Sequence, residues 1–187
     1  MSLVLGLDPG SRHTGYGLIR TGGREAALVT SGRLSPPPAW PLPRRLAYLH
    51  QGLAEIMSGF NPEAVAVESL FTGRNIRSAV ILAQARGVAL LAAAQGGAEI
   101  FEYTPREIKN AVTGCGQAGK DQVAFMVAAL LNHREPLSPD AADALAAALC
   151  HAGRANWAAS ARPGRKGGWR GLSEEDVAAL NQARSRP

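Results

Sequence analysis

Four acidic residues have types and positions that suit metal-dependent chemistry. Asp8 directly follows a short apolar run, and Glu68 ends a second one, Ala64-Val65-Ala66-Val67. A Glu that closes a buried strand does not help to form a turn, and an isolated buried carboxylate is costly. Asp140 and Asp143 are three residues apart at the start of a predicted helix, so their side chains point to one face.

Two of the acids also have an ordinary structural explanation. Asp8 begins an Asp-Pro-Gly turn, and Asp140 lies where an acid stabilises a helix dipole. Asp143 lies past the first turn among alanines, where that explanation fits less well. Converging carboxylates repel one another unless cations neutralise them. Oxygen ligands without a Cys or His cluster favour Mg²⁺ or Mn²⁺, and two such ions about 3.5–4 Å apart suit phosphodiester hydrolysis.

Hydrophobic periodicity predicts the elements that position these acids. Strands are predicted at 2–7, 15–20, 26–34, 64–68 and 98–103, and helices at 42–59, 75–95, 105–112, 120–132 and 139–151. The first three strands are close enough in sequence for an antiparallel meander. The order of elements predicts an α/β fold of the ribonuclease-H-like type, a mixed five-stranded sheet flanked by helices.

The helix 42–59 joins the strands that end at Asp8 and Glu68. A helix between two buried strands implies a right-handed parallel crossover. The carboxyl ends of such strands meet at one edge of the sheet, where ligands bind in open α/β folds. The helix 75–95 is apolar almost all round, so we expect it to be buried, in part against a second subunit.

Charge is distributed unevenly between two predicted regions. The chain has 187 residues and a net charge of +5. Residues 1–150 carry 13 Lys and Arg against 12 Asp and Glu, whereas residues 151–187 carry 7 against 3. We predict a domain at 1–153 and a basic, flexible tail at 154–187, whose cations would add salt-sensitive affinity for nucleic acid.

The chain is expected to be soluble and cytoplasmic. The start MSLVLGLDPG lacks the features of a signal peptide. The most apolar stretch, residues 79–94, is interrupted by Gln84 and Arg86, so it does not resemble a membrane span. Cys115 and Cys150 lack metal-site spacing and are expected to be buried or half-buried free thiols in a reducing compartment.

Several motifs together resemble the RuvC family of Holliday-junction resolvases. They occur in the family's order and spacing over residues 3 to about 153. Each alone is weak, since Asp-x-Gly after a strand also occurs in actin-like ATPases, but the set is specific. The matching segments are Gly6-Leu7-Asp8-Pro9-Gly10 with Thr14-Gly15-Tyr16-Gly17, Val67-Glu68-Ser69-Leu70-Phe71, Gln84-Ala85-Arg86-Gly87, Tyr103-Thr104-Pro105-Arg106-Glu107-Ile108-Lys109, Val112-Thr113-Gly114 with Lys120-Asp121-Gln122-Val123, and Asp140-Ala141-Ala142-Asp143-Ala144-Leu145-Ala146.

The resemblance implies a structure-selective DNA endonuclease that acts in homologous recombination and DNA repair. It implies a homodimer that binds four-way junctions and makes paired symmetric nicks, leaving 5′-phosphates, and a branch-migration helicase complex as partner. Asp8, Glu68, Asp140 and Asp143 match the family's four metal-binding acids. Cys115 departs from the polar residue, often Asn, that family members usually carry there.

The same resemblance points to residues that face DNA. Lys109 and Lys120 match basic residues near the scissile phosphate, although each is equally well explained as a solvated helix lysine. Phe71 matches a residue at the junction centre, where an aromatic ring can stack on unpaired bases; a partly buried core Phe is the alternative. Further DNA contacts are predicted for three polar residues that follow it, Arg74, Asn75 and Arg77.

Two other classes of protein share parts of this pattern. An actin-like or sugar-kinase ATPase needs two such domains and a second phosphate loop, which 187 residues are too few to contain. A non-catalytic nucleic-acid-binding module would not need all four acids. The sequence leaves open the choice between Mg²⁺ and Mn²⁺, the cleavage sequence, the dimer interface and which lysine acts in catalysis.

Overall fold

The strands and helices follow the hydrophobic pattern closely. A computed structural model describes residues 2–22, 25–69 and 76–160. Its strands are β1 (Ser2–Asp8), β2 (Thr14–Gly22), β3 (Glu25–Leu34), β4 (Ala64–Glu68) and β5 (Glu99–Tyr103). Its helices are α1 (Leu42–Phe60), α2 (Ile76–Gln95), α3 (Pro105–Thr113), α4 (Lys120–Leu130) and α5 (Pro139–Ser160). Every predicted element is present, and only the end of α5 differs greatly from its prediction.

The strands form one mixed sheet in the order β3-β2-β1-β4-β5. The β1-β2-β3 segment is the predicted antiparallel meander, whereas β4 and β5 run parallel to β1. Leu7 on β1 pairs with Val67 on β4. The parallel crossover is therefore confirmed, and the strand ends that carry Asp8 and Glu68 lie side by side.

Apolar residues cover both faces of the sheet because successive strand side chains point to opposite sides. On one face, Val4 and Ile19 pack with residues of α3, α4 and α5. On the other face, Leu5, Leu7 and Leu18 pack with residues of α1 and α2. This three-layer arrangement buries the sheet and leaves the carboxyl ends of β1 and β4 accessible between the layers.

The starts of α3 and α5 were predicted more accurately than the end of α5. The Thr104–Glu107 capping box that begins α3 is present, and Ser138 Oγ accepts a hydrogen bond from the Ala141 backbone N–H at the start of α5. The predicted end of α5 near residue 151 is wrong, since the helix continues to Ser160. No proline occurs between Pro139 and Pro163, and the single glycine in this stretch, Gly153, costs only about 1 kcal/mol.

The predicted boundary between residues 153 and 154 falls inside α5. One compact unit of the chain spans Met1–Asn156. The greater part of the predicted tail, residues 161–187, lies outside the described residues, so its flexibility and its role in binding remain predictions.

Only one face of α2 is buried. The helix is long and apolar enough, by length and composition, to cross a membrane. However, its inner face packs against the sheet and includes the buried charge of Arg86. Ile76, Val80 and Leu91 on the outer face are 80%, 51% and 51% exposed. The expectation of a buried helix is therefore confirmed for the inner face, whereas burial of the outer face against a second subunit stays a prediction.

The two cysteines lie in different environments. Cys150 is buried in α5, as expected, and burial raises the pKa of its thiol to about 11. Cys115 is exposed, so the expectation of a buried or half-buried thiol is wrong there. It follows Gly114, the C-cap of α3, whose positive φ of 74° directs the chain into the surface loop before α4.

Candidate active site

The first two acids are placed by the sheet. Asp8 ends β1, where it pairs with Gly15 on β2, and Glu68 ends β4, where it pairs with Tyr103 on β5. The buried residues that precede each acid anchor the strands, so the two carboxylates emerge where burial ends. Asp8 and Glu68 line one cleft together with Asp143, Lys109 and Lys120, and this cleft has a volume of about 330 Å³.

The other two acids are placed by the close approach of α5 to the sheet. A Cβ atom added to Gly6 would lie 1.8 Å from the carbonyl oxygen of Ala144. At Gly15 it would lie 2.0 Å from the carbonyl oxygen of Asp140. Only glycine allows the strands to contact the helix backbone at these distances. The two glycines therefore decide how near the α5 acids come to Asp8.

Burial and neighbouring acids make the charged form of Asp8 unfavourable. Desolvation, followed by the charges of Asp143, Glu68 and Asp140, raises the pKa of Asp8 from its ordinary 3.8 to about 6. Burial, followed by the charge of Asp143, also raises the pKa of Glu68. Asp8 thus experiences the charges of all three other acids, and a divalent cation would relieve this repulsion.

Two basic side chains partly neutralise this group. Lys120 Nζ donates to Asp143 Oδ2 at 3.4 Å, and Arg33 Nη1 donates to Asp140 Oδ2 at 3.3 Å. The charge of Asp143 raises the pKa of Lys120, so its ammonium stays protonated at neutral pH. Arg33 was not predicted as a site residue, and no sequence signal marks it, because it reaches Asp140 only through the pairing of β3 with Gly15 on β2.

The donor set suits a hard divalent cation. It consists of four carboxylates, and oxygen ligands are those that Mg²⁺ and Mn²⁺ prefer. Within the described ranges, no three Asp, Glu, His or Cys side chains already form a group that could enclose a metal ion. Asp140 and Asp143 each contact Arg33 or Lys120 through Oδ2 alone, so the other oxygen of each carboxylate could bind metal. The assignment of the four acids as metal ligands remains a prediction.

A buried arginine holds the end of β4. Arg86 Nη1 donates to the carbonyl oxygen of Glu68, and Arg86 Nη2 lies 2.7 Å from Glu102 Oε2 on β5. The guanidinium is almost fully buried, and such a charge is tolerated only when it is paired. Through these two contacts, the guanidinium connects α2, β4 and β5 at the point where Glu68 ends its strand. Arg86 is therefore a positioning residue that sequence reasoning noted only as part of a motif.

The structure leaves several predicted DNA contacts untested. Phe71, Arg74 and Asn75 lie outside the described residues. Arg77 is exposed in the first turn of α2, and it forms no ion pair with another described residue. Lys109 and Lys120 do lie in the cleft of Asp8 and Glu68, which is the placement that a role beside the scissile phosphate requires.

The raised pKa of Asp8 predicts a pH-dependent stability without divalent ions. Because the folded-state pKa exceeds the unfolded value, Asp8 destabilises the fold progressively as pH rises from about 4 to 6. The shift corresponds to about 1–3 kcal/mol after allowance for residual solvation. Asp8→Asn should remove this loss, so in EDTA its melting temperature should exceed that of wild type at pH 7 but not at pH 3.5. Equal differences at both pH values would contradict the electrostatic origin.

Comparisons with known proteins agree with this geometry. The family model for crossover junction endodeoxyribonuclease RuvC matches residues 4–151. A RuvC from Rubrobacter xylanophilus is 48% identical over 80% of this chain and 84% of its own length. One from Halorhodospira halophila is 49% identical over 81% of this chain and 90% of its own length.

A solved structure shows the same arrangement of elements. The RuvC of Thermus thermophilus, solved in complex with a Holliday junction substrate, is 36% identical and superposes with a TM-score of 0.79. The superposition covers 84% of this chain and 97% of the other. The segments matched by the family model include all four acids and both lysines. The chain therefore belongs to the RuvC family of crossover junction endodeoxyribonucleases.

Proposed function

We propose that the protein resolves four-way DNA junctions by paired symmetric nicks, through phosphodiester hydrolysis that depends on two divalent metal ions per site. The observation that carries the proposal is the single cleft in which Asp8, Glu68 and Asp143 face Lys109 and Lys120. Such a cleft combines groups that can hold cations with groups that can hold a phosphate. The junction-bound relative supports the choice of substrate.

Asp8, Glu68, Asp140 and Asp143 would hold the ions, Mg²⁺ or Mn²⁺. When bound, such ions supply a hydroxide near neutral pH and stabilise the leaving oxygen. Asp8 suits a central position, since it borders both this cleft and the groove that also contains Asp140. Its backbone is held by the pairing of β1 with β2, which keeps the carboxylate at this edge of the sheet.

The lysines would bind the reacting phosphate. Both line the same cleft as the strand acids, so a phosphate bound in this cleft would meet two positive charges. The raised pKa of Lys120 keeps it a cation rather than a base. It can therefore stabilise negative charge that develops on the phosphate. Such electrostatic stabilisation is usually the largest single contribution to catalysis. Lys109 adds a second positive charge from α3.

The function is tested with a synthetic four-way junction. In Mg²⁺ we expect two nicks at symmetric positions in strands of like polarity, with 5′-phosphate and 3′-hydroxyl ends. A linear duplex of the same sequence should stay uncut, and EDTA should abolish cleavage of the junction. Binding without any nicking would instead indicate a non-catalytic nucleic-acid module.

The outer face of α2 supports the proposal of a homodimer. Ile76, Val80, Gly87 and Leu91 form an exposed apolar stripe at helical spacing. A Cβ added to Gly87 would meet no atom within 4 Å, so a second helix can approach closely there. A two-fold dimer would present two sites to the two strands of a nearly symmetric junction. We also propose a cytoplasmic location and a branch-migration helicase complex as partner, and both proposals rest on membership of the RuvC family alone.

Charge introduced into this stripe should separate the subunits. Val80→Glu with Leu91→Glu would bury two unpaired carboxylates in the interface, at a cost of several kcal/mol. We expect sedimentation equilibrium to show dimers for wild type and monomers for the variant at micromolar concentration. Phe125→Glu is the control, because Phe125 is 71% exposed on α4, outside the stripe. A dimer that persists in the double variant would exclude α2 as the interface.

A further inference from the structure

A second groove borders Asp8 and Asp140 and contains neither Lys109 nor Lys120. It has a volume of about 680 Å³. It shares Asp8 with the cleft that contains Lys109 and Lys120, which we call the lysine cleft. Its other charged side chains are Arg12 and Arg45, and no further carboxylate lines it. The groove is large enough for a nucleotide and has positive charge where the lysine cleft ends.

Arg45 lines this groove and forms no ion pair with another described residue. Its Nε atom is buried, so a ligand in the groove would be bound by the terminal nitrogens of the guanidinium. Arg12 also lines the groove and is exposed. A guanidinium can bind two phosphate oxygens at once, which makes a phosphate the fitting ligand.

The loop that carries Arg12 is held in place. Buried Thr14 donates from Oγ1 to the carbonyl oxygen of Gly10 at 2.9 Å. His13 Nδ1 pairs with Ser35 Oγ at 3.0 Å. These contacts tie the loop to β2 and to the end of β3. The guanidinium of Arg12 therefore extends from a preorganised turn, which lowers the entropic cost of binding a ligand.

We propose that this groove binds the phosphate of a nucleotide adjacent to the scissile phosphate in the cleaved strand, through Arg12 and Arg45. The inference rests on the proposed function, since it assumes that a DNA strand crosses Asp8. A strand that crosses there must continue on both sides of the acids. Lys109 and Lys120 serve one side, and the two arginines serve the other. The apolar side chains of Ile81 and Leu82 provide a wall for the sugar.

The first test measures junction affinity in EDTA as salt is varied. Arg45→Gln and Arg12→Gln should each weaken binding roughly tenfold. The slope of log K against log salt is negative, and each substitution should make it shallower by about 0.9, the value for one lost phosphate contact. Arg44→Gln is the matched control, because Arg44 precedes Arg45 in α1 but lies over the Trp40 ring at 3.9 Å. Variants that behave like Arg44→Gln would overturn the proposal.

The second test locates the phosphate. Neutral methylphosphonates are placed singly at positions flanking the cut. One adjacent position should weaken wild-type binding roughly tenfold and cause no further loss in Arg45→Gln, because the contact is already absent. Independent losses at every position would overturn the assignment to this strand. Arg12→Gln provides the same test should Arg45→Gln fold poorly. A wild type that neither binds nor cuts junctions would instead refute the proposed function.

Discussion

Asp8→Asn should abolish cleavage of a four-way junction and leave its binding nearly unchanged. Asparagine keeps the size of the side chain and one oxygen but removes the charge that would hold a cation. Removal of one charge-stabilising group from a preorganised site lowers kcat by roughly 10²–10³. Asp8 interacts with all three other acids, so we expect a loss at or above that range. The measurement is single-turnover nicking in Mg²⁺ beside a gel-shift assay in EDTA.

Asp121→Asn is the matched control for this experiment. Asp121 lies in the first turn of α4, directly beside Lys120, and is exposed. Its removal changes the net charge by the same amount but touches neither cleft. Cleavage within about twofold of wild type is expected, since exposed charges contribute little. Full activity of Asp8→Asn would disprove the metal assignment, and equal losses in both variants would indicate a general charge effect.

Gly15→Ala should also abolish most cleavage, although it removes no functional group. The new Cβ would lie 2.0 Å from the carbonyl oxygen of Asp140, and a backbone atom cannot turn aside as a flexible side chain can. The start of α5 must therefore move away from β2. A displacement of about 1 Å in a catalytic group can cost roughly 100-fold in rate. We expect that loss together with a destabilisation of about 1–3 kcal/mol.

Gly59→Ala provides the comparison for Gly15→Ala. A Cβ at Gly59 would meet no atom within 4 Å, and the residue lies near the end of α1. Alanine favours a helix over glycine by up to about 1 kcal/mol, so this variant should keep its activity and melt no lower than wild type. If Gly15→Ala retained wild-type activity, the close contact between β2 and α5 would not determine the position of Asp140.

The sequence was sufficient to predict the elements and the neighbourhood of the strand acids. Apolar spacing indicated each strand and helix, and the helix between β1 and β4 implied the parallel pairing that places Asp8 beside Glu68. These features depend on local periodicity and on one rule of chain connection. The three-residue spacing of Asp140 and Asp143 likewise placed both on one helix face. The family motifs then pointed to Lys109 and Lys120.

Other features depend on contacts between distant parts of the chain. Arg33 and Asp140 are 107 positions apart, and they meet because β3 pairs with β2 and α5 packs on Gly15. Arg86 holds Glu68 because α2 packs against β4, and Arg45 lines the groove beside Asp8 only in the folded chain. Periodicity shows which face of an element is buried. It does not show which side chains meet across two packed elements, because that depends on the distances of approach that residues such as Gly6 and Gly15 allow. The acids at the end of the sheet were therefore predictable from the sequence, whereas the cations that surround them required the tertiary structure.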